Sequence, residues 1–424
     1  MKIVISRYFN TNDITKGLLI SFLLSVFIYL EYFGISYKFI NTTLAIIGLY
    51  LLLENEKQSV WFWSGFFIAL LWFWWITLSF RIYGIAWAIP FGVIGIGLIE
   101  GFIFLIGCKV AILAHRHLKI PTIFWLAFFL LGVNYIAPFG FDWLKLQLLF
   151  LHSYLGVALW QFGIIILAIT LSIYKKNLLF LVFVVLAYTP HSKNTPTLPT
   201  AIEIAGTNIG IKEKWDETHQ INIINDILSK IDNAIVADKK LIIFPESTIA
   251  RFINEEPDIL GFLTSKSQDI SVIIGALYWD GETPRNSTYL FNKNEFTTMH
   301  KVVLVPFGEY NPLPDFIGKW INKVIYNDGV DYKPVEEISD YEVNGITYRN
   351  AICFEATKPK MYEGDPKFMI AISNNKWFTP SIEPTLQRLL IEYYSQLFGT
   401  TIYHAINGSP SYITSEGKSV FVEQ

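Results

Sequence analysis

Residues 177–206 read NLLFLVFVVLAYTPHSKNTPTLPTAIEIAG, and the fold divides inside that stretch. It begins as an uncharged apolar run, passes through prolines, threonines and one lysine, and resumes as a short strand-like pattern. No single element continues through TPHSKNTPTLPT, so residues 191–199 read as a linker. On its N-terminal side, from Leu18 to Tyr188, charges are scarce and Trp, Phe, Leu and Ile dominate. On its C-terminal side, from Thr195, Lys, Glu, Asp, Asn and Pro return at the density of a soluble domain. The 424 residues are therefore read as a transmembrane helical domain over 1–190 and one α/β domain over 200–424.

Working back from the linker, hydrophobic residues make up 52% of the chain and charged residues 16%, too apolar for an ordinary soluble protein. A helix needs about 20 apolar residues to cross the hydrocarbon core. That template fits near 17–34, 39–53, 61–80, 86–113, 121–138, 151–173 and 177–190, which predicts about seven helices, the second and last of them short. The first run is too long for a signal peptide and lacks a small-residue cleavage site, so it stays as a span. With the N-terminus inside, cytoplasmic loops collect Lys2, Arg7, Lys16, Lys57, Arg116, Lys119, Lys175 and Lys176, while outer loops hold Lys38, Arg81 and Lys145. An odd span count then places the soluble domain outside the cytoplasm. Glu100, deep in GIGLIEGFIFLIG, is costly there unless it faces the bundle interior or water. It reads as a polar contact for a lipid headgroup or another helix, or as a hydrogen-bonded packing residue.

Working forward, a net charge of −3 without a long basic run gives no reason to expect nucleic acid. The two cysteines lie in different halves, Cys108 in an apolar span and Cys353 in the polar part, so Cys353 is expected as a free thiol. Strand-like runs alternate with helical ones: IEIAGTNIG, a helix from Glu217 to about Ala237, LIIFPES, a short helix, SVIIGALYW, and paired strands from Tyr289 to Lys301. ITYRNAICFEA, KFMIAISNN, a helix from about Ile382 to Phe398, and TIYHAI follow. This is one α/β domain.

Three runs carry a reactive residue at or beside one end, where a rigid sheet positions catalytic side chains. Glu246 follows LIIF and Pro245, Lys301 opens VVLVPFGEY, and Cys353 terminates YRNAI. Singly, each has a plainer reading: a solvated loop acid, a surface lysine, a buried small hydrophobe. Together they describe acyl chemistry. A thiolate attacks a carbonyl, a carboxylate takes the thiol proton and returns it to the leaving group, and an ammonium stabilises the oxyanion. His300 and His404 lack a matching nucleophile motif, and the chain has no HExxH, CxxC or glycine-rich phosphate pattern. Such an exchange needs no cofactor or metal.

At FPES, HKVVLVPFGEYNPLP, AICFEA and SNNKWF the chain resembles the nitrilase (carbon–nitrogen hydrolase) superfamily, in particular its membrane branch, the apolipoprotein N-acyltransferases. The resemblance implies a transmembrane bundle joined to an αββα nitrilase-like sandwich on the periplasmic side of a bacterial inner membrane. It implies transfer of a fatty acyl chain from a phospholipid donor, through a thioester, to the α-amine of a diacylglyceryl apolipoprotein. Carried onto this chain, Cys353 is the nucleophile, Glu246 the general base and Lys301 the oxyanion stabiliser. Glu309 matches the family's second glutamate, Glu355 another required position, and Trp215 a tryptophan near the lipid entrance. Asn374 and Trp377, in SNNKWFT, join the expected substrate-binding residues. Between Pro312 and Tyr326, apolar residues including Trp320 recur at helical spacing opposite Lys319 and Lys323. That segment reads as an amphipathic lid at the lipid interface or as an ordinary packed helix.

The chain also departs from the family. Phe354 stands where a tyrosine usual to the family follows the nucleophile, Gly206-Thr207-Asn208 replaces Gln-Gly-Asn, and Lys376 brings a new charge beside the site. The family's last strand and transmembrane helix are expected to be missing after VFVEQ. Two other functions share these residues: a membrane-tethered amidase with water as acceptor, and an inactive truncated paralogue that binds lipid or lipoprotein.

Overall fold

A computed structural model describes residues 10–190, 195–313 and 332–422. The chain forms two compact units, Met1–His191 and Ser192–Gln424.

The first unit is helical and inverted in its polarity. Its α-helices are α1 (Thr11–Leu23), α2 (Val26–Tyr32), α3 (Lys38–Leu53), α4 (Gln58–Phe73), α5 (Ile89–Leu118), α6 (Thr122–Gly132) and α7 (Leu159–Tyr174), followed by an apolar 3-10 segment, Leu178–Ala187. Large apolar side chains such as Phe91, Phe128 and Leu179 point outward, while Ser21, Ser25, Asn41 and Ser64 are buried. Lipid solvates the first group, and interhelical hydrogen bonds hold several of the second. Ser21 Oγ donates to the Ser64 carbonyl at 2.8 Å, and Trp72 Nε1 donates to Ser25 Oγ at 3.0 Å. Helices α4 and α5 approach through glycine: a Cβ on Gly65 would lie 2.6 Å from the Glu100 carbonyl, and one on Gly97 2.4 Å from Leu70. Glu100 itself is buried within the bundle.

The seven apolar runs each fall on helical structure, but their lengths differ from the prediction. Among the described residues, Gln58–Arg81 and Ala86–Leu118 are individually long and apolar enough to cross a membrane, and α1 with α2, bent by 43°, passes the same test as a pair. Lys38–Leu53, Thr122–Tyr135, Leu159–Tyr174 and Leu178–Ala187 are apolar but shorter. The run expected at 151–173 turns helical only at Leu159. Before it, residues 136–158 hold short 3-10 helices at Pro138–Gly140 and Leu146–Phe150 joined by irregular chain, and Gly156 is held against the Gln161 side chain.

The second unit is a sandwich whose layering follows from alternation along its strands. The first sheet runs β1 (Ile202–Ile204), β2 (Leu241–Ile243), β4 (Ser271–Trp279), β5 (Pro284–Asn292), β6 (Glu295–His300), with β3 (Ile249–Phe252) also paired to β4. The second runs β12 (Lys418–Phe421), β11 (Tyr412–Ser415), β10 (Thr401–Asn407), β9 (Phe368–Asn374), β8 (Ile346–Ile352), β7 (Asp340–Val343). Leu241, Ile243 and Ile273 share one core with Tyr348, Ile352, Ile370, Ile372 and Tyr403 of the facing sheet. The alternate residues Ile242, Val272 and Ile274 join Ile227 and Ile231 on the other side. Those two belong to α9 (Glu217–Val236), which follows the one-turn α8 (Ile211–Lys214) and precedes α10 (Pro257–Lys266). Helix α11 (Glu383–Phe398) packs on β11 and on the Cys353–Thr357 turn. The result is an αββα sandwich. Strands β2 and β4, and likewise β8, β9 and β10, are parallel neighbours, so their C-terminal ends gather at one edge, where parallel sheets characteristically place ligands.

Candidate active site

At that edge three chain reversals present Glu246, Lys301 and Cys353. Glu246 lies three residues past Ile243 in a turn whose next residue, Ser247, has φ +48°. The turn is fixed from three directions. Thr248 Oγ1 donates to the Pro245 carbonyl at 2.7 Å. The buried Lys214 donates from Nζ to the carbonyls of Glu246 (3.2 Å) and Ser247 (3.0 Å). Strand β4 lies so close that a Cβ on Gly275 would stand 2.6 Å from Glu246 Cα and 2.7 Å from the Pro245 oxygen. Glycine is required there by contact, not by its torsion angles. Burial pulls the Lys214 ammonium down to about 7, with Glu246 opposing that shift.

Lys301 follows β6 and is 1% exposed. Its Nζ donates to Glu309 Oε1 at 2.8 Å and to Glu246 Oε1 at 3.4 Å. Burial works against its charge, but Glu309 and Glu246 outweigh burial and hold the ammonium above the ordinary lysine range. Asn286, near the start of β5, closes the ring: its Nδ2 donates to Glu246 Oε1 at 2.7 Å and Glu309 Oε1 at 2.8 Å. Two carboxylates therefore share one ammonium and one amide. Glu309 Oε2 also accepts the Val305 amide at 2.8 Å, so this acid shapes its own loop.

Cys353 ends β8 and opens the 3-10 turn Cys353–Thr357 with φ +56°, a torsion a non-glycine residue adopts only where its surroundings impose it. The imposing group is Glu355. Fully buried, it accepts the amides of Ile352 (2.7 Å), Val302 (2.5 Å) and Val303 (2.9 Å). One carboxyl thus ties the nucleophile turn to the segment that follows Lys301. Burial raises it to about 7 against the pull of Lys301 and these amides. The Cys353 thiol is free and partly exposed. Burial and then Glu246 push it well above the usual thiol range, with Lys301 acting the other way. A resting thiolate is therefore disfavoured, and attack on a carbonyl requires proton removal as the new bond forms.

Among the other residues singled out from sequence, Phe354 is buried with the Lys358 ammonium 3.8 Å above its ring, a cation–π contact that needs no hydroxyl. Asn374 Oδ1 accepts Asn407 Nδ2 at 2.8 Å, and Asn407 Oδ1 in turn accepts from Thr207 Oγ1 and the Ile209 amide. That network joins the ends of β9 and β10 to the segment after β1. Trp377 is half-buried on the turn Asn375–Trp377. The stem of Lys376 lies along Gly408. Trp215 is 51% exposed and lines a surface cleft of about 710 Å³ with Arg251, Phe252 and Glu256, a cleft that none of Glu246, Lys301 or Cys353 lines. Trp320 and the amphipathic segment lie outside the described residues, apart from Pro312 and Leu313.

Four side chains that sequence reading passed over belong to this site. Asn286 and Lys214 buttress Glu246. Gln387 of α11 is 1% exposed and extends Nε2 to 3.9 Å from Cys353 Sγ. Glu383, one turn earlier, is 2% exposed. The only signal for Asn286 was a polar residue inside a buried strand, and for Glu383 an acid at a helix start.

The family model for the apolipoprotein N-acyltransferase integral membrane domain matches residues 11–191. A curated apolipoprotein N-acyltransferase of Wolinella succinogenes is 39% identical over 92% of this chain and 92% of its own length. One of Campylobacter jejuni is 33% identical over 96% of this chain and 92% of its own. A solved carbon–nitrogen hydrolase superfamily protein from Xanthomonas campestris superposes on 53% of this chain and 86% of its own with a TM-score of 0.39 at 12% identity.

Proposed function

Since the chain belongs to the apolipoprotein N-acyltransferase family, we propose that it moves a fatty acyl chain from a membrane phospholipid, through a thioester on Cys353, to the α-amine of a diacylglyceryl-cysteine at a lipoprotein N-terminus. It is a membrane acyltransferase of lipoprotein N-acylation. The observation that carries the mechanism is the ring Glu246–Lys301–Glu309–Asn286 at the same sheet edge as the strained Cys353 turn.

In the donor step Glu246 takes the thiol proton while sulfur attacks the ester carbonyl. Lys301 stabilises the oxyanion, the C–O bond breaks, and Glu246 returns the proton to the departing lysophospholipid oxygen. Lys301 suits this role because Glu309 and Glu246 outweigh its burial and hold the ammonium above the ordinary lysine range. In the acceptor step the amine attacks the thioester, the C–N bond forms, the C–S bond breaks, and sulfur recovers its proton. Glu309, Glu355 and Asn286 position these groups. Trp215 is assigned to lipid recognition, as the family resemblance implies. The chain passes several times through the inner membrane with its sandwich on the periplasmic side, in keeping with the inside-positive loops.

The test is mass spectrometry of a lipoprotein N-terminus from cells depleted of their own acyltransferase. Cells given this protein are expected to carry a third acyl chain as an amide, and cells given Cys353→Ala to lack it. Release of free fatty acid with no N-acylation would instead identify water as the acceptor.

A further inference from the structure

The proposed acceptor step leaves one proton without a place to go. An α-ammonium that becomes an amide loses two protons, and only one of them ends on the Cys353 sulfur. Glu246 can carry that one. A second base is needed for the other, and it has no part in the donor step, where the proton lost by sulfur goes to the leaving oxygen.

Helix α11 supplies a candidate. Its first turn carries Glu383, whose Oε2 is buried without a hydrogen-bond partner among the described residues, a costly arrangement for a carboxyl with no use. Four residues on, and so on the same helix face, Gln387 is oriented by Asn375, whose Nδ2 donates to its Oε1 at 3.2 Å, and reaches towards the Cys353 sulfur. Glu383 lies close enough to act electrostatically on both Cys353 and Glu246. The backbone amide of Glu383 is fixed by Ser381 Oγ at 3.0 Å.

We propose that Glu383 is the acceptor-amine residue: it pairs with the incoming α-ammonium of the lipopeptide and removes its first proton, leaving a neutral amine to attack the Cys353 thioester. The balance is complete. R–NH3+ gives one proton to the Glu383 carboxylate, which passes it to solvent, and a second through Glu246 to sulfur, as C–N forms and C–S breaks. Burial, with Glu246 adding to it, raises Glu383 to about 8. That matches a peptide α-ammonium at about 7.7–8.0, so the proton moves between them with little free-energy change. The approaching cation itself favours the carboxylate form.

The inference rests on the thioester reading above, and the experiment separates the two. The acyl-enzyme is first formed from phospholipid alone, and its decay is then followed with two nucleophiles: a diacylglyceryl lipopeptide, whose α-amine is mostly cationic, and hydroxylamine, which is uncharged at neutral pH and has only one proton to lose. Glu383→Gln is expected to form the thioester, to react with hydroxylamine as the wild type does, and to transfer to the lipopeptide on the order of a hundredfold more slowly. Glu383→Asp is expected to recover part of that loss. Equal slowing with both nucleophiles, or undiminished lipopeptide transfer, would overturn the assignment. A wild-type protein that forms no thioester would remove the mechanism beneath it, before any variant is compared.

Discussion

The two units bury polar groups in opposite ways. In the bundle the buried polar groups are dispersed: Ser21 Oγ donates to the Gly17 and Ser64 carbonyls, Ser25 Oγ accepts from the Trp72 indole, and Asp13 takes Ser59 Oγ at 2.6 Å and Lys57 at 3.1 Å near the helix ends. In the sandwich Glu246, Glu355, Glu383, Lys214 and Lys301 are all buried around one sheet edge. A folded chain tolerates the first pattern through local hydrogen bonding and the second only through mutual compensation. Concentrated buried charge marks the chemistry, and dispersed buried polarity marks packing.

That contrast can be broken most severely at the sandwich edge. Lys301→Met leaves the buried Glu246 and the partly buried Glu309 without their shared cation. It is expected to abolish transfer and to lower stability by about 3–5 kcal/mol, read by thermal unfolding in detergent alongside an acyl-transfer assay. Cys353→Ala is expected to abolish transfer with little change in Tm, because the contact it removes, Gln387 Nε2 to sulfur at 3.9 Å, is long and weak. A paired glycine experiment sharpens the comparison. Gly275→Ala pushes against the Glu246 turn and is expected to slow transfer about a hundredfold, the usual result of displacing a catalytic group by about 1 Å. Gly65→Ala meets a comparable clash between α4 and α5 and is expected to act on stability, by about 1–3 kcal/mol.

The buried acids also set a pH dependence with a definite sign. Glu355 is raised from 4.5 to about 7 and Glu383 to about 8. Between pH 4.5 and those values the folded sandwich holds protons that the unfolded chain releases, so their contribution is complete at low pH and is lost as pH rises towards 7 and 8. Tm measured against pH should show this fall, and Glu355→Gln should remove the part that ends near pH 7. Smallest of all, Ser21→Ala in the bundle is expected to cost about 0.6 kcal/mol.

Glu246 and Cys353 stood out in the sequence because each sits just beyond an apolar strand, whereas Lys301, read at the head of VVLVPFGEY, follows β6 and no strand opens at Val302. The sequence also made α9 and α11 legible to within a residue or two through their periodicity. What it concealed depends on approach between distant segments. Asn286 meets Glu246 across 40 residues and Gln387 meets Cys353 across 34, and neither pairing leaves a local pattern. Span length was overstated for a related reason. The span expected at 151–173 turns helical only at Leu159, with Gly156 packed against the Gln161 side chain just before it. Hydropathy records where a chain prefers lipid, not where its backbone can remain helical.

The central claim, a covalent thioester on Cys353, is tested most directly by incubating the purified protein with phospholipid and no acceptor and then digesting it for mass spectrometry. The account expects an acyl adduct on the peptide containing Cys353 that hydroxylamine removes and Cys353→Ser does not form as a thioester. An intact, transfer-competent protein that never carries acyl on Cys353 would contradict it.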